Sequence, residues 1–245
     1  MIKIENVEVY GWEAAIRGMR NPMNSWDKSD SKVVEMIYRP DTPRLNYDGS
    51  VHDVIKEHRE FKKVAIPQNF DVGENDLALM RKLAAAGSVH GKYRRMITVT
   101  LDITAPLYWW KEFDTYKVGT VRNSCSTMHK IHGKEFEQMD FSCEHLTADD
   151  DEFCGAAGID TLLGVIADLN EYREAYIRTK DKKYWWQMIQ LLPSSYNQRA
   201  TVQLNYEVLA GMYHYRNDHK LDEWREFCRW IESLPYSELI TGKTP

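Results

Sequence analysis

The segment Thr115–Lys130, TYKVGTVRNSCSTMHK, packs hydroxyls, a thiol, an amide and several cations into sixteen residues. Small polar side chains beside cations suit an anionic, hydrogen-bonding ligand; the same composition also describes a solvated loop. Cys125 in this segment acts as a nucleophile only where a neighbouring cation lowers its pKa, and Arg122 and Lys130 are near it in sequence. A second cluster is His129-x-x-His132, followed by Cys143 and His145. Zinc asks for three or four such ligands in a tetrahedral array. The spacing matches no standard zinc pattern and no H-E-x-x-H occurs, so the histidines read as polar loop residues near a substrate pocket, with no metal expected. Neither G-x-G-x-x-G, G-x-x-x-x-G-K-[ST] nor G-x-S-x-G is present. A nucleotide phosphate would therefore fall to scattered Arg and Lys side chains.

The elements that must position these groups belong to a chain of 245 residues, 43% apolar, 28% charged and 12% aromatic. That length buries a core without staples, and the composition excludes disorder, collagen and coiled coil as overall descriptions. A net charge of −5 argues against broad electrostatic capture of nucleic acid. No apolar run reaches the length of a membrane span. The opening MIKIENVEVYGW reads as a strand and not as a signal peptide. The four cysteines form no C-x-x-C pair, which points to reduced thiols and a cytoplasmic location.

No repeat, low-complexity tract or linker divides the chain, so one domain over residues 1–245 is expected. Ile2, Ile4, Val7 and Val9 predict a strand, and Trp12–Met19 a short helix. Residues 21–73 carry four of the eight prolines and read as loops around a short strand at Val33–Tyr38. Leu77, Met80, Leu83 and Ala84 mark one face of a helix ended by Gly87. Ile97, Val99, Leu101 and Ile103 alternate with Thr98, Thr100, Asp102 and Thr104, the signature of a strand with one apolar face. Pro106 then stands at the first position of an aromatic helix over Leu107–Lys117. Residues 118–155 read as polar and irregular. Helices are predicted from Ile159 to Tyr176, over Lys182–Leu192, near Asn205–Tyr215 and from Leu221 to Leu234, with a short extended piece at Ala200–Leu204. The 8 Trp and 14 Tyr are the unusual entry in the composition. Trp185, Trp186, Trp224 and Trp230 read as core; Tyr108, Trp109, Trp110 and Tyr116 read as interface core or as rings that stack on a ligand.

Two stretches carry a resemblance to a known family. His90, the strand Ile97–Ile103, Ala105-Pro106-Leu107-Tyr108, Thr115-Tyr116-Lys117 and Cys125-Ser126-Thr127-Met128 follow one another in the order seen in the flavin-dependent thymidylate synthases. Leu192-Pro193 and the helix from Asn205 to Arg216 resemble that family's Leu-Pro and N-x-R-S-L-x-x-F-x-x-x-R segments, with the same Asn-to-Arg spacing. Together they cover roughly the second two-thirds of the chain. The departures are specific. The family's R-H-R triplet is Thr115-Tyr116-Lys117 here, its glutamine is Glu112, and its loop serine falls on Cys125, or on Ser126 with one gap. The arginine before the Leu-Pro is Ile189, and the one two after the helix asparagine is Glu207.

The resemblance implies a single α+β domain with a central, mostly antiparallel sheet flanked by helices. It implies FAD, with NADPH and methylenetetrahydrofolate as co-substrates, in methylation or another alkylation of C5 of dUMP or a related pyrimidine nucleotide. A homotetramer is implied, with no nucleic-acid or membrane partner. On the same ground Cys125 and Ser126 would border the reacting ring. Glu112, Arg122, Thr127, Arg199 and Arg216 would hold the nucleotide, and His90, Lys92, Tyr116, Lys117 and Asn205 the flavin. The missing arginines leave a second reading open, a protein of this fold that binds a nucleotide without turnover. A charge-assisted phosphate hydrogen bond is worth about 1.5–3 kcal/mol, so three such losses without replacement would remove most of the binding energy.

Overall fold

The computed structural model describes residues 2–33, 44–45, 51–52, 70–148 and 155–243. In chain order the strands are β1 Lys3–Tyr10, β2 Lys32–Val33, β3 Arg44–Leu45, β4 Val51–His52, β5 Phe70–Asp71, β6 Thr98–Pro106, β7 Val121–Ser124 and β8 Asn197–Asn205. The helices are α1 Trp12–Arg20, α2 Glu74–Ala85, α3 Leu107–Phe113, α4 Gly158–Thr179, α5 Lys182–Leu191, α6 Tyr206–Arg216, α7 Asp222–Glu232 and α8 Glu238–Thr241. The chain divides into two compact units, one formed by Met1–Glu8 with Val99–Pro245 and the other by Val9–Thr98. The expected strand at Val33–Tyr38 lies outside the described residues beyond Val33, where β2 pairs antiparallel with β5.

A four-stranded antiparallel sheet in the order β1-β6-β8-β7 organises the first unit. The alternation in β6 buries Val99, Leu101, Ile103 and Ala105 completely, because successive side chains of a strand point to opposite faces. β8 does the same with Gln198, Ala200, Val202 and Leu204 while Arg199, Thr201 and Gln203 stay exposed. It runs longer than the predicted Ala200–Leu204, since the inward Gln198 hides the alternation at its start. β7 lies within the stretch expected to be irregular. Its register against β8 places Arg122 opposite Val202 and Asn123 opposite Thr201. As an edge strand it leaves Val121 64% exposed, so no apolar periodicity announces it.

Pro106 ends β6 and caps α3, one position earlier than expected, and α3 stops at Phe113. Backbone bonds from Thr115 to Glu112 and from Tyr116 to Phe113 turn the chain there. Trp109 and Phe113 of α3 pack on Trp224 and Phe227 of α7, and Trp110 meets Trp109 and Phe113 edge-on, in one aromatic core with ring centroids 4.9–6.5 Å apart. Edge-to-face and offset contacts of this kind add to the area buried. Trp109 and Trp110 are 0% and 2% exposed, so they are core and offer no ring to a ligand. A second core joins Ile131, Phe136 and Phe141 to Leu162, Ile166 and Leu169 of α4 and Met188 of α5. Trp185 only packs against its edge, donating Nε1 to the Met128 carbonyl at 2.9 Å. Trp186, expected in the core, is 45% exposed, because α5 is a short helix with one buried face.

In the second unit α1 buries Trp12, Ala15, Ile16 and Met19. It begins after Gly11, whose φ of +93° is a left-handed conformation; a Cβ there would meet the Met96 carbonyl oxygen at 2.0 Å. Arg20, 4% exposed, donates to Asp76, 0% exposed, at 2.6 Å. Asp76 also accepts from the Ser29 and Ser31 hydroxyls, each at 2.6 Å. Asp30 caps α2 by accepting from the backbone of Asn75 and Asp76 at 2.9 and 3.1 Å. These bonds satisfy N–H groups that the helix start leaves open.

Candidate functional site

Glu112 sits in the last turn of α3, Tyr116 just beyond it, and Arg216 closes α6. The fold brings the three together. Arg216 Nη1 donates to Glu112 Oε2 at 2.5 Å and Nε donates to the Tyr116 hydroxyl at 3.0 Å. The guanidinium carbon lies 4.8 Å from the Trp224 ring centroid and 5.6 Å from that of Tyr116. Two further residues complete the group: Trp224 Nε1 donates to Glu112 Oε2 at 3.0 Å, and His219 Nε2 lies 3.4 Å from the same oxygen. His219 was missed by sequence reasoning; it lies in the turn that follows α6, where its N–H donates to the Arg216 carbonyl at 3.1 Å. Trp224 was read as core, and it is; only its indole N–H betrays a polar task.

The other predicted residues of this unit form separate groups. Arg122 donates through Nη1 to Asp114 and through Nη2 to Gln198 Oε1, with its guanidinium 3.9 Å from the Trp110 centroid. Arg122 Nε and Thr120 Oγ1 are buried without a partner among the described residues. Arg199 lies on the opposite face of the sheet, bonded to Asp102 at 2.8 Å, with Glu5 at 4.0 Å. Pairing across a strand ladder explains the split: Arg122 faces the side of Val202, and Arg199 the side of Thr201. Asp102 is held down to about 2 by the Thr201 hydroxyl, then by Arg199 and Asn6.

Cys125 is exposed and follows β7; its N–H donates to the Arg199 carbonyl at 2.8 Å and its carbonyl accepts from Gln198 Nε2 at 2.7 Å. Ser126 Oγ accepts from the backbone of Met128 and His129 at 3.2 and 2.9 Å, a local turn. Thr127 is half-buried and Lys117 exposed. Asn205 caps α6, Oδ1 accepting from Val208 N–H at 3.0 Å. Gly119, at φ +78°, passes under it so closely that a Cβ would lie 2.9 Å from Asn205 Nδ2.

His90 and Lys92 belong to the second unit. They line a cleft of about 1190 Å³ between α1, α2 and the 3-10 turn Gly91–Met96. Its apolar wall includes Met19, Met23, Leu79, Leu83, Val89 and Met96, its cations are Arg20, Lys28, Lys92 and Arg95, and His90 lies beside them. No carboxylate is among the described lining residues. Arg20 is compensated by Asp76, whereas Lys28, Lys92 and Arg95 have no ion-pair partner among the described residues. In a chain of net charge −5 such a cleft selects an anion with an apolar or planar body. Lys28 and Arg95 were missed; the run HGKYRR from His90 to Arg95 was the available signal.

Of the histidines and thiols considered for a metal, His129 is exposed, His132 stacks edge-on against Tyr176, Cys143 accepts from Gln138, and His145 pairs with Asp222. Among the described residues no three His, Cys, Asp or Glu side chains are grouped to hold a metal ion, and no helix is long and apolar enough to cross a membrane. Burial pushes the Cys228 thiol up to about 11, which leaves it a core residue.

No family model matches the sequence, and no curated protein does. Solved structures do. Thymidylate synthase X (ThyX) of Helicobacter pylori, crystallised with FAD and dUMP, superposes with a TM-score of 0.61 at 12% identity, covering 98% of this chain and 97% of that one. The UMP/dUMP methylase PolB of Streptomyces cacaoi, bound with 5-Br UMP, gives 0.57 at 13% identity over 99% and 95%. The structural likeness covers nearly the whole length of the chain, which has the α+β fold of the flavin-dependent thymidylate synthases.

Proposed function

We propose that the chain is a divergent flavin-dependent enzyme related to thymidylate synthase, methylating or otherwise alkylating C5 of dUMP or a related pyrimidine nucleotide. The observation that carries this reading is the likeness of fold over nearly the full length of a protein crystallised with FAD and dUMP. The residues of the second unit fit FAD: a diphosphate asks for cations free of carboxylates, and flat rings ask for apolar wall, and the cleft supplies both. His90 and Lys92 would hold the cofactor there, and Tyr116, Lys117 and Asn205 are the candidates of the first unit. With Asn205 Oδ1 engaged in its cap, the amide offers Nδ2 as a donor. The flavin, when bound, supplies the hydride chemistry, with NADPH as reductant and methylenetetrahydrofolate as one-carbon donor.

The chain's own residues then bind and orient. Arg216 presents a guanidinium fixed on three sides by Glu112, Tyr116 and Trp224. Fixed donors contribute through proximity and electrostatics, because they need no rearrangement as the reaction proceeds. Arg122, Thr127 and Arg199 are the other nucleotide candidates, and Cys125 and Ser126 would border the pyrimidine. We further take residues 1–245 as one functional domain of a cytoplasmic homotetramer.

The test is direct. Purified protein titrated with FAD is expected to quench flavin fluorescence. With NADPH and methylenetetrahydrofolate it is expected to convert dUMP to a product one methyl heavier by mass spectrometry. Protein that stays colourless, quenches nothing and returns dUMP unchanged contradicts the enzyme. One observation favours the second reading, binding without turnover: Arg122, Arg199 and Arg216 each already engage a carboxylate. A rise in melting temperature with dUMP or dTMP and no product would support it.

A further inference from the structure

The loop after β7 is folded onto the turn between α4 and α5. Trp185 Nε1 donates to the Met128 carbonyl at 2.9 Å, and Arg173 Nε donates to the His132 carbonyl at 3.1 Å. The His132 ring meets that of Tyr176 edge-on, with centroids 4.9 Å apart. These contacts join residues 126–134 to residues 176–186, which together hold six Lys or Arg and one carboxylate, Asp181. Asp181 is engaged as the α5 cap, accepting from Lys183 N–H at 2.9 Å with Lys183 Nζ at 3.4 Å. Lys134 pairs with Asp140. Lys130, Arg178, Lys180 and Lys182 are exposed and have no ion-pair partner among the described residues.

Aromatic rings stand among these cations. Trp185 and Trp186 meet edge-to-face with centroids 4.8 Å apart, and Lys182 Nζ lies 5.7 and 5.9 Å from them. Lys180 Nζ lies 6.0 Å from the Tyr176 ring. Trp186 is 45% exposed, and its neighbour Trp185 is held in place by the bond to Met128. We propose that this surface binds single-stranded nucleic acid, with Lys130, Arg178, Lys180 and Lys182 on backbone phosphates and Trp186 stacked on a base. An unpaired base offers a flat π-face to an aromatic ring whatever its identity, and the phosphates beside it carry the charge that nearby cations take. A duplex buries those faces in its own stack, and an acidic peptide would use the cations but leave Trp186 idle. The net charge of −5 opposes capture over the whole surface, whereas this patch is local. The assignment stands apart from the enzyme reading, since it rests on other side chains.

Fluorescence anisotropy of labelled oligothymidylate and oligouridylate of about twelve nucleotides, titrated with the full-length protein, tests it. Wild-type protein is expected to bind at least one of the two strands, with log Kd rising by about 3 per tenfold increase in salt, the value for four phosphate contacts. Trp186→Ala is expected to weaken binding about tenfold at an unchanged salt slope. Lys182→Ala is expected to lower that slope by about 0.7, and Lys180→Ala to do the same should the first variant fail to fold. Melting curves establish that each variant is folded. A duplex of the same length that binds as tightly overturns the proposal. So does binding that Trp186→Ala and the lysine variants leave unchanged, which would put the strand elsewhere on the protein. Protein that binds neither strand and instead sediments with phosphatidylserine vesicles overturns it in favour of a lipid surface. None of these outcomes touches the conversion of dUMP, so the two readings fail separately.

Discussion

Arg122 lies flat over Trp110, its guanidinium carbon 3.9 Å from the ring centroid, while Nη1 donates to both oxygens of Asp114 at 2.9 and 2.7 Å. Trp110 is 2% exposed and donates its own Nε1 to the Gln198 carbonyl at 2.9 Å. The arginine therefore closes the polar end of the aromatic core. Arg122→Ala is expected to cost about 2 kcal/mol, the sum of a stacked cation and a charged hydrogen bond. Arg122→Lys recovers only part of it, lacking the planar fork. Urea unfolding measures both, and an unchanged midpoint in Arg122→Ala would contradict the role.

The Arg20–Asp76 pair predicts acid sensitivity in the second unit. Burial acts to raise the Asp76 carboxyl, but the Ser29 and Ser31 hydroxyls and the Arg20 guanidinium outweigh it, and it ends below its ordinary 3.8. A depressed carboxyl contributes stability that is complete above the unfolded value and fades as pH falls through the folded one. Wild-type protein should lose this contribution below about pH 4. Asp76→Asn, which strands a buried guanidinium, should lose about 3–5 kcal/mol at neutral pH. Urea midpoints between neutral and acid pH should converge for the two proteins.

On the outer face of the sheet, Asp102 accepts from the Thr201 hydroxyl at 2.6 Å and from Asn6 at 2.8 Å. Thr201→Val removes the largest influence holding that carboxyl at about 2, so its titration should move up towards 3.8. Carbon-13 NMR of the side-chain carboxyl reads the change. A curve that does not move would mean that Arg199 alone sets it.

Asn205 carries two separable tasks. As the α6 cap, Asn205→Ala should cost about 1 kcal/mol and Asn205→Ser should restore most of it. If the amide also serves the flavin, Asn205→Ser restores the melting temperature and not FAD affinity. FAD affinity that returns with serine would leave only the cap.

Gly119→Ala should destabilise by about 1–2 kcal/mol, since a left-handed backbone and a 2.9 Å clash with Asn205 act together. A melting curve checks it, and an unshifted one would mean that the loop moves aside.

Much of this arrangement was legible in the chain. The alternation of Ile97–Ile103, the helical spacing from Ile159 to Tyr176 and the apolar stripe Leu221–Leu234 are local patterns, and β6, α4 and α7 follow them. Edge strand β7 was not, because Val-Arg-Asn-Ser has no apolar face to bury and is ordered by hydrogen bonds to β8. Trp186 misled because residue type does not say which side of α5 meets the core.

By itself the sequence determined which chemistry was on hand: the absence of phosphate-loop and zinc motifs, a cation-rich stretch after the aromatic helix, and an Asn-to-Arg spacing that one helix spans. Tertiary structure alone decided which of those groups meet. Glu112 and Arg216 are 104 residues apart and share a hydrogen bond, whereas Arg122 and Arg199 share a sheet and are parted by its two faces. The reason is physical: periodicity fixes the face a side chain takes on its own element, and only the packing of elements fixes what that face meets.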